Sequence, residues 1–294
     1  MTKSIDDFSN ILQRDQSLAP YTWLRLGGPA EYFLTPGTED ELLEVIRYCL
    51  SAEIPIRILG GGSNLLVADE GISGAVIRIT DSLLNSVEIK DERLTAGGGT
   101  QLSHAVSESV RAQLSGLEVL VGVPGTVGGA VVGNAGGRHG DIGELIESVS
   151  VVDRDGNIVE RSGDELSFSY RRSSLDDVIV LSATFQLKAD PSDELTRRMR
   201  KNWIMKRATQ PLADQSAGCI FRNPRGLSAG ALIEQCGLKG MTSGQARISD
   251  RHANFIVTDK GATSQDVDQL ISRIQSAVSE KFGVDLDLEI CRWS

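Results

Sequence analysis

Apolar residues along the chain recur with two different periods. Leu42, Val45, Ile46 and Cys49 follow one another at helical spacing, and Thr38-Glu39-Asp40-Glu41 ahead of them has capping-box spacing, which predicts a helix after Thr38. That helix feeds an apolar strand over residues 54–59. From Ala75 the pattern shifts to short β-rich runs at 75–79, 86–89 and 93–96, then to a helix over 101–112 with Leu102, Ala105, Val106 and Val110 on one side. Runs at 146–153 and 157–161 flank Arg154-Asp155-Gly156, a hairpin closed by a D-G turn, and 178–187 is strand again. A basic helix is predicted over 195–207, and a second helix at 229–236 stops at Gly237. A strand at 252–257 precedes an amphipathic helix capped by Ser264, carrying Val267, Leu270, Ile271, Ile274 and Val278. The chain closes on a strand over 284–290 with Glu289 inside it. At the other end, residues 1–20 read as a short acidic helix ending near Pro20, and 22–34 as strand, turn, strand.

Two stretches interrupt this alternation. Residues 57–67 begin as strand, lose their side chains at Gly60-Gly61-Gly62, and return to apolar sequence. Without Cβ atoms the backbone can be approached closely, and successive N–H groups form a concave anion site suited to a pyrophosphate. Ser63 and Asn64 add short polar side chains at the same edge. The second stretch, 116–137, places Gly122, Gly125, Gly128, Gly129 and Gly133 in apolar sequence with Pro124, Thr126, Ala130 and Asn134. Its uncharged part, 119–137, is expected to be buried loop and strand, since Pro124 and the glycines suit a lipid-embedded helix poorly. A flat cofactor lying against bare backbone accounts for glycines that a core does not need. Two such cradles suggest one long ligand, a dinucleotide; a glycine-rich hairpin without ligand is the alternative. The G-x-G-x-x-G pattern fails at Leu65, and no G-x-x-x-x-G-K-[ST] loop occurs.

Composition narrows the partners. The 294 residues suffice for two or three domains, and 40% hydrophobic with 24% charged residues is ordinary for a globular protein. A net charge of −10 argues against nucleic acid or an anionic membrane as partner, so any anionic ligand depends on local donors. The first eight residues carry acids and no apolar core, unlike a secretory signal. Four cysteines without C-x-x-C spacing predict no zinc site and no disulfide scaffold, hence a reducing, cytoplasmic setting. No metal and no obligatory protein partner are implied.

A longer set of motifs recurs in order: Thr22…Arg25-x-Gly27-Gly28-Pro29-Ala30, Leu59-Gly60-Gly61-Gly62-Ser63-Asn64-Leu65-Leu66, Gly122-x-Pro124-Gly125-Thr126-Val127-Gly128-Gly129-Ala130 and Asn134-Ala135-Gly136. Beyond them come Tyr170-Arg171, Gln210-Pro211, Ser216-Ala217-Gly218-Cys219-x-Phe221-Arg222-Asn223-Pro224, Gly237-Leu238-Lys239-Gly240, His252-Ala253-Asn254-Phe255 and Leu288-Glu289-Ile290. Over nearly its whole length the chain resembles the UDP-N-acetylenolpyruvoylglucosamine reductase (MurB) family, flavoenzymes of peptidoglycan precursor synthesis. The short region from Tyr170 to Ser216 is similar to the compact subclass that lacks an inserted substrate-capping loop. The resemblance implies an α+β fold. An FAD-binding domain of the vanillyl-alcohol-oxidase (PCMH) type, in two α/β lobes at 1–80 and 81–192, would precede an α+β substrate-binding domain at 193–294. It implies FAD against Gly60, Gly61, Gly62, Ser63, Asn64, Pro124, Gly125, Thr126, Gly128, Gly129, Ala130 and Asn134. NADPH is implied as co-substrate and a nucleotide sugar as substrate.

By the same resemblance the flavin gives a hydride to the substrate's enolpyruvyl double bond, and NADPH recharges it. Arg171 matches the arginine that stabilises the resulting negative charge, for which a planar guanidinium suits a carboxylate; its alternative is a surface arginine beside Arg172. Glu289 matches the catalytic glutamate and, next to an anion, would have to be protonated or share a hydrogen bond. Its alternative is an outward polar residue on an alternating strand. Cys219 stands where many relatives have the serine proton donor. A thiol, with an unperturbed pKa of about 8.5, keeps the capacity to donate a proton; a buried structural cysteine or an oxidation-sensitive donor are the alternatives. Tyr170 and Asn223 match substrate contacts. Cys49, Cys236 and Cys291 are assigned to packing, although many relatives carry arginine at the position of Cys291. His104, His139 and His252 are assigned no role. The rival functions are another FAD-dependent oxidoreductase or oxidase, and a silent flavin-binding protein.

Overall fold

A computed structural model of the chain describes residues 4–79, 83–137, 139–175, 179–191 and 193–294. They fall into two compact units, Met1–Arg14, Tyr32–Gly61 and Gly74–Met205 in the first, and Asp15–Glu31, Gly62–Ser73 and Lys206–Ser294 in the second. The units interleave in sequence, whereas the segments expected above are consecutive.

Two sheets lie mainly within the residues of the first unit. One is four-stranded, in the order Leu12–Ser17, Pro29–Leu34, Ile72–Arg78, Ile56–Leu59, with the last two parallel and Ile56 opposite Ala75. The helix Glu39–Ser51 covers it and buries Leu42, Leu43, Val45, Ile46 and Cys49. Thr38 caps that helix by accepting from the Glu41 N–H at 3.2 Å, and three acids in the first turn suit its positive end. The other sheet is five-stranded and antiparallel, in the order Ile158–Ser162, Ile146–Val152, Ile179–Gln186, Arg93–Gly97, Val87–Lys90. Leu94, Val149, Val151 and Phe185 from its strands pack with Leu102 and Val106 of the helix Leu102–Arg111. In the D-G turn the Asp153 carboxylate accepts from the N–H groups of Asp155 and Asn157, both at 2.9 Å, and Gly156 takes φ +78.

Three expectations for residues 1–137 need correction. Residues 1–20 are not one helix. Ser4 and Asp7 form a capping box on a single 3₁₀ turn, Ile5–Phe8, and the mostly exposed run Leu12–Ser17 is an edge strand. The stretch 22–26 is a loop rather than a strand, closed by Thr22 Oγ1, which donates to the Leu26 carbonyl at 2.7 Å and accepts its N–H at 3.2 Å. Residues 119–137 are not loop and strand alone, because Val127–Val132 is a helix.

The second unit carries a four-stranded antiparallel sheet, ordered Gln215–Cys219, Phe255–Thr258, Ala246–Ile248, Thr242–Ser243. The helices Ala229–Gln235 and Ser264–Phe282 bury Leu232, Ile233, Val267, Leu270, Ile271, Ile274 and Val278 in one core with Phe221 and Ile256. The cap of the long helix is Thr263, in a capping box with Asp266, not Ser264. Ser264 instead donates through N–H and hydroxyl to the Asp69 carboxylate at 2.8 and 2.9 Å. Leu65–Val67 pairs in parallel with Cys291–Trp293. The expected strand over 284–290 reduces to an isolated bridge between Leu288 and Phe221, and regular pairing begins only at Cys291. Among the described residues no helix is long and apolar enough to cross a membrane.

Candidate active site

In the first unit the two glycine-rich stretches meet backbone to backbone. A Cβ on Gly60 would lie 2.7 Å from Thr126 Oγ1, and one on Gly61 would lie 2.8 Å from the Cα of Gly125. The second stretch is fixed by the Gly125 carbonyl, which accepts from Leu102 at 2.9 Å, and by Val127 and Gly128, which donate to Thr100 and Gly98 at 2.8 and 2.9 Å. Thr126 caps the short helix that carries Gly128, Gly129 and Ala130. Among the described residues, no backbone hydrogen bond uses the N–H of Gly60, Gly61, Gly125 or Thr126. Gly60 and Gly61 are half-buried and Thr126 is buried. Unused donors at a bare, partly buried backbone are what a diphosphate needs, so these residues fit a dinucleotide cofactor. Gly62, Ser63 and Asn64 belong to the second unit.

Asn134, also expected at the cofactor, is buried with its amide committed to backbone. Nδ2 donates to the Ser169 carbonyl at 2.8 Å, and Oδ1 accepts from Gly143 at 3.0 Å. Ser169 pairs with Arg172, which leaves Tyr170-Arg171 as a two-residue turn with Arg171 at φ +58. The Arg171 guanidinium donates to the Gly136 carbonyl at 3.0 Å, stands 3.6 Å from Asp141 Oδ1, and lies over the Tyr170 ring at 5.1 Å. With its side chain 19% exposed, it is an anchored group and not a loose surface arginine. Asp141 carries no motif that would have singled it out.

In the second unit Gly218 (φ +79) sits at a register shift: Ser216 pairs with Val257, but Cys219 with Phe255. The extra residue is a bulge of the kind that re-aims the next side chain. Cys219 is half-buried. One residue on, the Ile220 carbonyl accepts from the Glu289 N–H at 2.8 Å. The Glu289 carbonyl in turn accepts from Asn64 Nδ2 at 3.2 Å, and the Asn64 carbonyl from Cys291 at 2.9 Å. Cys219 and Glu289 therefore stand on neighbouring segments, and both backbone groups of Glu289 are fixed. Their diverging partners explain why no regular strand forms there. Asn223 Oδ1 accepts from Ala229 N–H at 3.0 Å, at the start of the helix Ala229–Gln235.

The remaining cysteines divide. Cys49 is buried, and desolvation pushes its thiol up to about 11; Cys236 is half-buried with Sγ 3.5 Å from the Ala277 carbonyl. Cys291 is exposed, which corrects its assignment to packing. His104 and His139 are exposed. His252 is half-buried, and burial, followed by the nearby Lys239 charge, holds its imidazole below the usual value. Its Nδ1 accepts from the Asn254 N–H at 3.3 Å, which a neutral ring allows. Among the described residues no three His, Cys, Asp or Glu side chains are grouped to hold a metal ion.

Comparison with known proteins follows the same division. Residues 30–162 match the FAD binding domain family, and residues 210–293 match the C-terminal domain of UDP-N-acetylenolpyruvoylglucosamine reductase. The chain is 40% identical to the UDP-N-acetylenolpyruvoylglucosamine reductase of Heliobacterium modesticaldum over 293 residues, 99% of this chain and 93% of that one. It is 40% identical to that of Anoxybacillus flavithermus over 282 residues, 95% of this chain and 93% of the relative. The crystal structure of UDP-N-acetylenolpyruvylglucosamine reductase from Thermus caldophilus matches with a TM-score of 0.83 at 40% identity, covering 96% of this chain and 99% of its own. A solvent-stable cholesterol oxidase matches 64% of this chain and 40% of its own, with a TM-score of 0.50 at 17% identity, a likeness of fold alone.

Proposed function

The chain belongs to the UDP-N-acetylenolpyruvoylglucosamine reductase family of FAD-dependent oxidoreductases, and from that premise we propose that Arg171, Cys219 and Glu289 carry its substrate chemistry, with NADPH as reductant. The reaction is reduction of the enolpyruvyl group of UDP-N-acetylglucosamine-enolpyruvate to give UDP-N-acetylmuramate, in a cytoplasmic setting. FAD, when bound, supplies the hydride and is recharged by NADPH. Addition of that hydride to the carbon–carbon double bond leaves a pair of electrons delocalised toward the substrate carboxylate. Arg171 is held by Gly136 and Asp141 in a fixed orientation, so its charge can stabilise that anion without reorganising. The Cys219 thiol donates its proton to the adjacent carbon, forming the new C–H bond, and the thiolate is reprotonated from solvent. Glu289, its backbone tied at both ends, serves as a carboxylic acid or hydrogen-bond partner beside the anion. Tyr170 and Asn223 are the proposed substrate contacts.

The observation that carries this reading is the hydrogen bond from Glu289 N–H to Ile220, the residue after Cys219. It puts two residues far apart in sequence on adjacent segments. The test is an anaerobic absorbance experiment. The flavin is bleached with NADPH, excess nucleotide is removed, and UDP-N-acetylglucosamine-enolpyruvate is added. Rapid return of the oxidised spectrum is expected. A protein that bleaches but is reoxidised only by oxygen would be an oxidase, and a protein that takes up no FAD would overturn the reading altogether.

A further inference from the structure

Asn254 lies in the His252–Phe255 motif, to which no function has been attached so far. It is 3% exposed, beside Ile220 and Phe221, which are fully buried. The strands Gln215–Cys219 and Phe255–Thr258 pair as far as Cys219 and Phe255, where the second strand gives way to a turn. That turn is closed by Phe255 N–H to the His252 carbonyl at 3.0 Å. Beyond it the ladder has no further strand residue to offer, and Asn254 takes over. Its carbonyl accepts from Ile220 at 2.8 Å, its Oδ1 accepts from Phe221 N–H at 3.0 Å, and its Nδ2 donates to the Phe221 carbonyl at 2.8 Å. One side chain thus supplies the acceptor and the donor of a missing strand position. The same short segment is bonded to the chain around Glu289: Ile220 accepts from Glu289 and Arg222 donates to Asp287, both at 2.8 Å, and Phe221 bridges Leu288.

We propose that Asn254 is a positioning residue, whose amide sets the strip that joins Cys219 to Glu289 and so fixes the proton donor against the carboxyl group. The proposal rests on the assignment of Cys219 and Glu289 given above. The chemistry of the amide is specific. An aspartate carboxylate offers Phe221 two acceptors, and its second oxygen opposes the Phe221 carbonyl; an alanine leaves a buried donor and a buried acceptor unpaired. A protonated aspartic acid regains the donor in nearly the same place.

The experiment compares holoenzyme carrying Asn254→Asp or Asn254→Ala with the parent over a range of pH. FAD content, NADPH bleaching and flavin reoxidation by UDP-N-acetylglucosamine-enolpyruvate are measured separately. Bleaching, which needs neither Cys219 nor Glu289, is expected to stay within about twofold of the parent, and reoxidation at neutral pH to fall at least about tenfold. In Asn254→Asp, and not in Asn254→Ala, the ratio of variant to parent reoxidation rate should recover as pH falls and the carboxyl group becomes a donor. Equal slowing of both half-reactions, unchanged reoxidation, or no selective recovery in acid would overturn the proposal. So would loss of flavin from both variants at every pH, which would make Asn254 a folding residue only. Failure of the parent itself to be reoxidised by substrate would instead overturn the assignment on which the proposal rests.

Discussion

Replacing Gly61 by alanine tests whether the two glycine stretches meet as described. The added Cβ would lie 2.8 Å from the Gly125 Cα, a backbone atom that cannot rotate away. Carbon atoms prefer separations of about 3.5–4.0 Å, so one loop must retreat by about 0.7 Å or more. Overpacking of this kind costs about 1–3 kcal/mol. For a unit of this size that is a fall in Tm of about 4–8 °C at 2 kcal/mol, measured on flavin-free protein by thermal unfolding. The same retreat separates Gly60 and Gly61 from Gly125 and Thr126, so FAD affinity, followed by flavin fluorescence, should fall as well. Gly129→Ala is the control. A Cβ there meets only Thr126 Oγ1, at 3.6 Å, and alanine in a helix is favoured over glycine by about 1 kcal/mol. Flavin-free Gly129→Ala should therefore melt at or above the parent. A drop in its FAD affinity would mark Gly129 as a surface against which cofactor lies. Flavin-free Gly61→Ala melting like the parent would refute the close packing of the two stretches.

Cys219→Ser should retain turnover, whereas Cys219→Ala should slow reoxidation by substrate and leave NADPH bleaching intact; equal turnover in both would remove Cys219 as donor. In native protein at pH 8 an alkylating reagent followed by mass spectrometry should label Cys291 readily and Cys49 not at all, because Cys49 is buried with its thiol raised to about 11. Labelling of Cys49 before unfolding would contradict that burial. The imidazole of His252 is depressed by burial, so the unfolded chain binds its proton first. Its contribution to stability is complete above the unfolded value of about 6.5 and is lost as pH falls from there toward the folded value. His252→Gln should flatten that part of a pH series of urea midpoints, and an unchanged slope would count against a neutral ring.

Local chemistry made much of the fold readable. The helix after Thr38 and the D-G hairpin were legible because their caps and turns lie within a few residues of each other. The helix Val127–Val132 was not, since two of its six residues are glycine, each costing about 1 kcal/mol in a helix. It forms through the Thr126 cap and the bond from Gly128 to Gly98, a contact distant in sequence. The edge strand Leu12–Ser17 and the break before Cys291 depend likewise on partners that no period reveals. Arg171, Cys219 and Glu289, the proposed site residues, were singled out only through family motifs; spacing alone left each with a structural alternative. Asn254 had a local signal that went unused: a full amide inside His252-Ala253-Asn254-Phe255-Ile256-Val257 must be paired if the run is buried.

Three asparagines, distant in sequence, do one kind of work around the proposed site residues. Asn134 holds Ser169 beside the Arg171 turn, Asn64 holds the carbonyl of Glu289, and Asn254 holds Phe221 after Cys219. An amide presents donor and acceptor on a short stem and carries no charge. A lysine offers no acceptor and an ionised aspartate no donor, so neither could make both side-chain bonds of Asn134 or Asn254, and each would add a charge beside the backbone it holds. Proton donation beside a developing anion needs groups that are positioned without being electrostatically perturbed by their supports. Neutral amides meet both conditions. The exposed ion pairs of this chain, such as Arg93–Glu147 and Arg14–Asp6, are instead charged and screened by solvent.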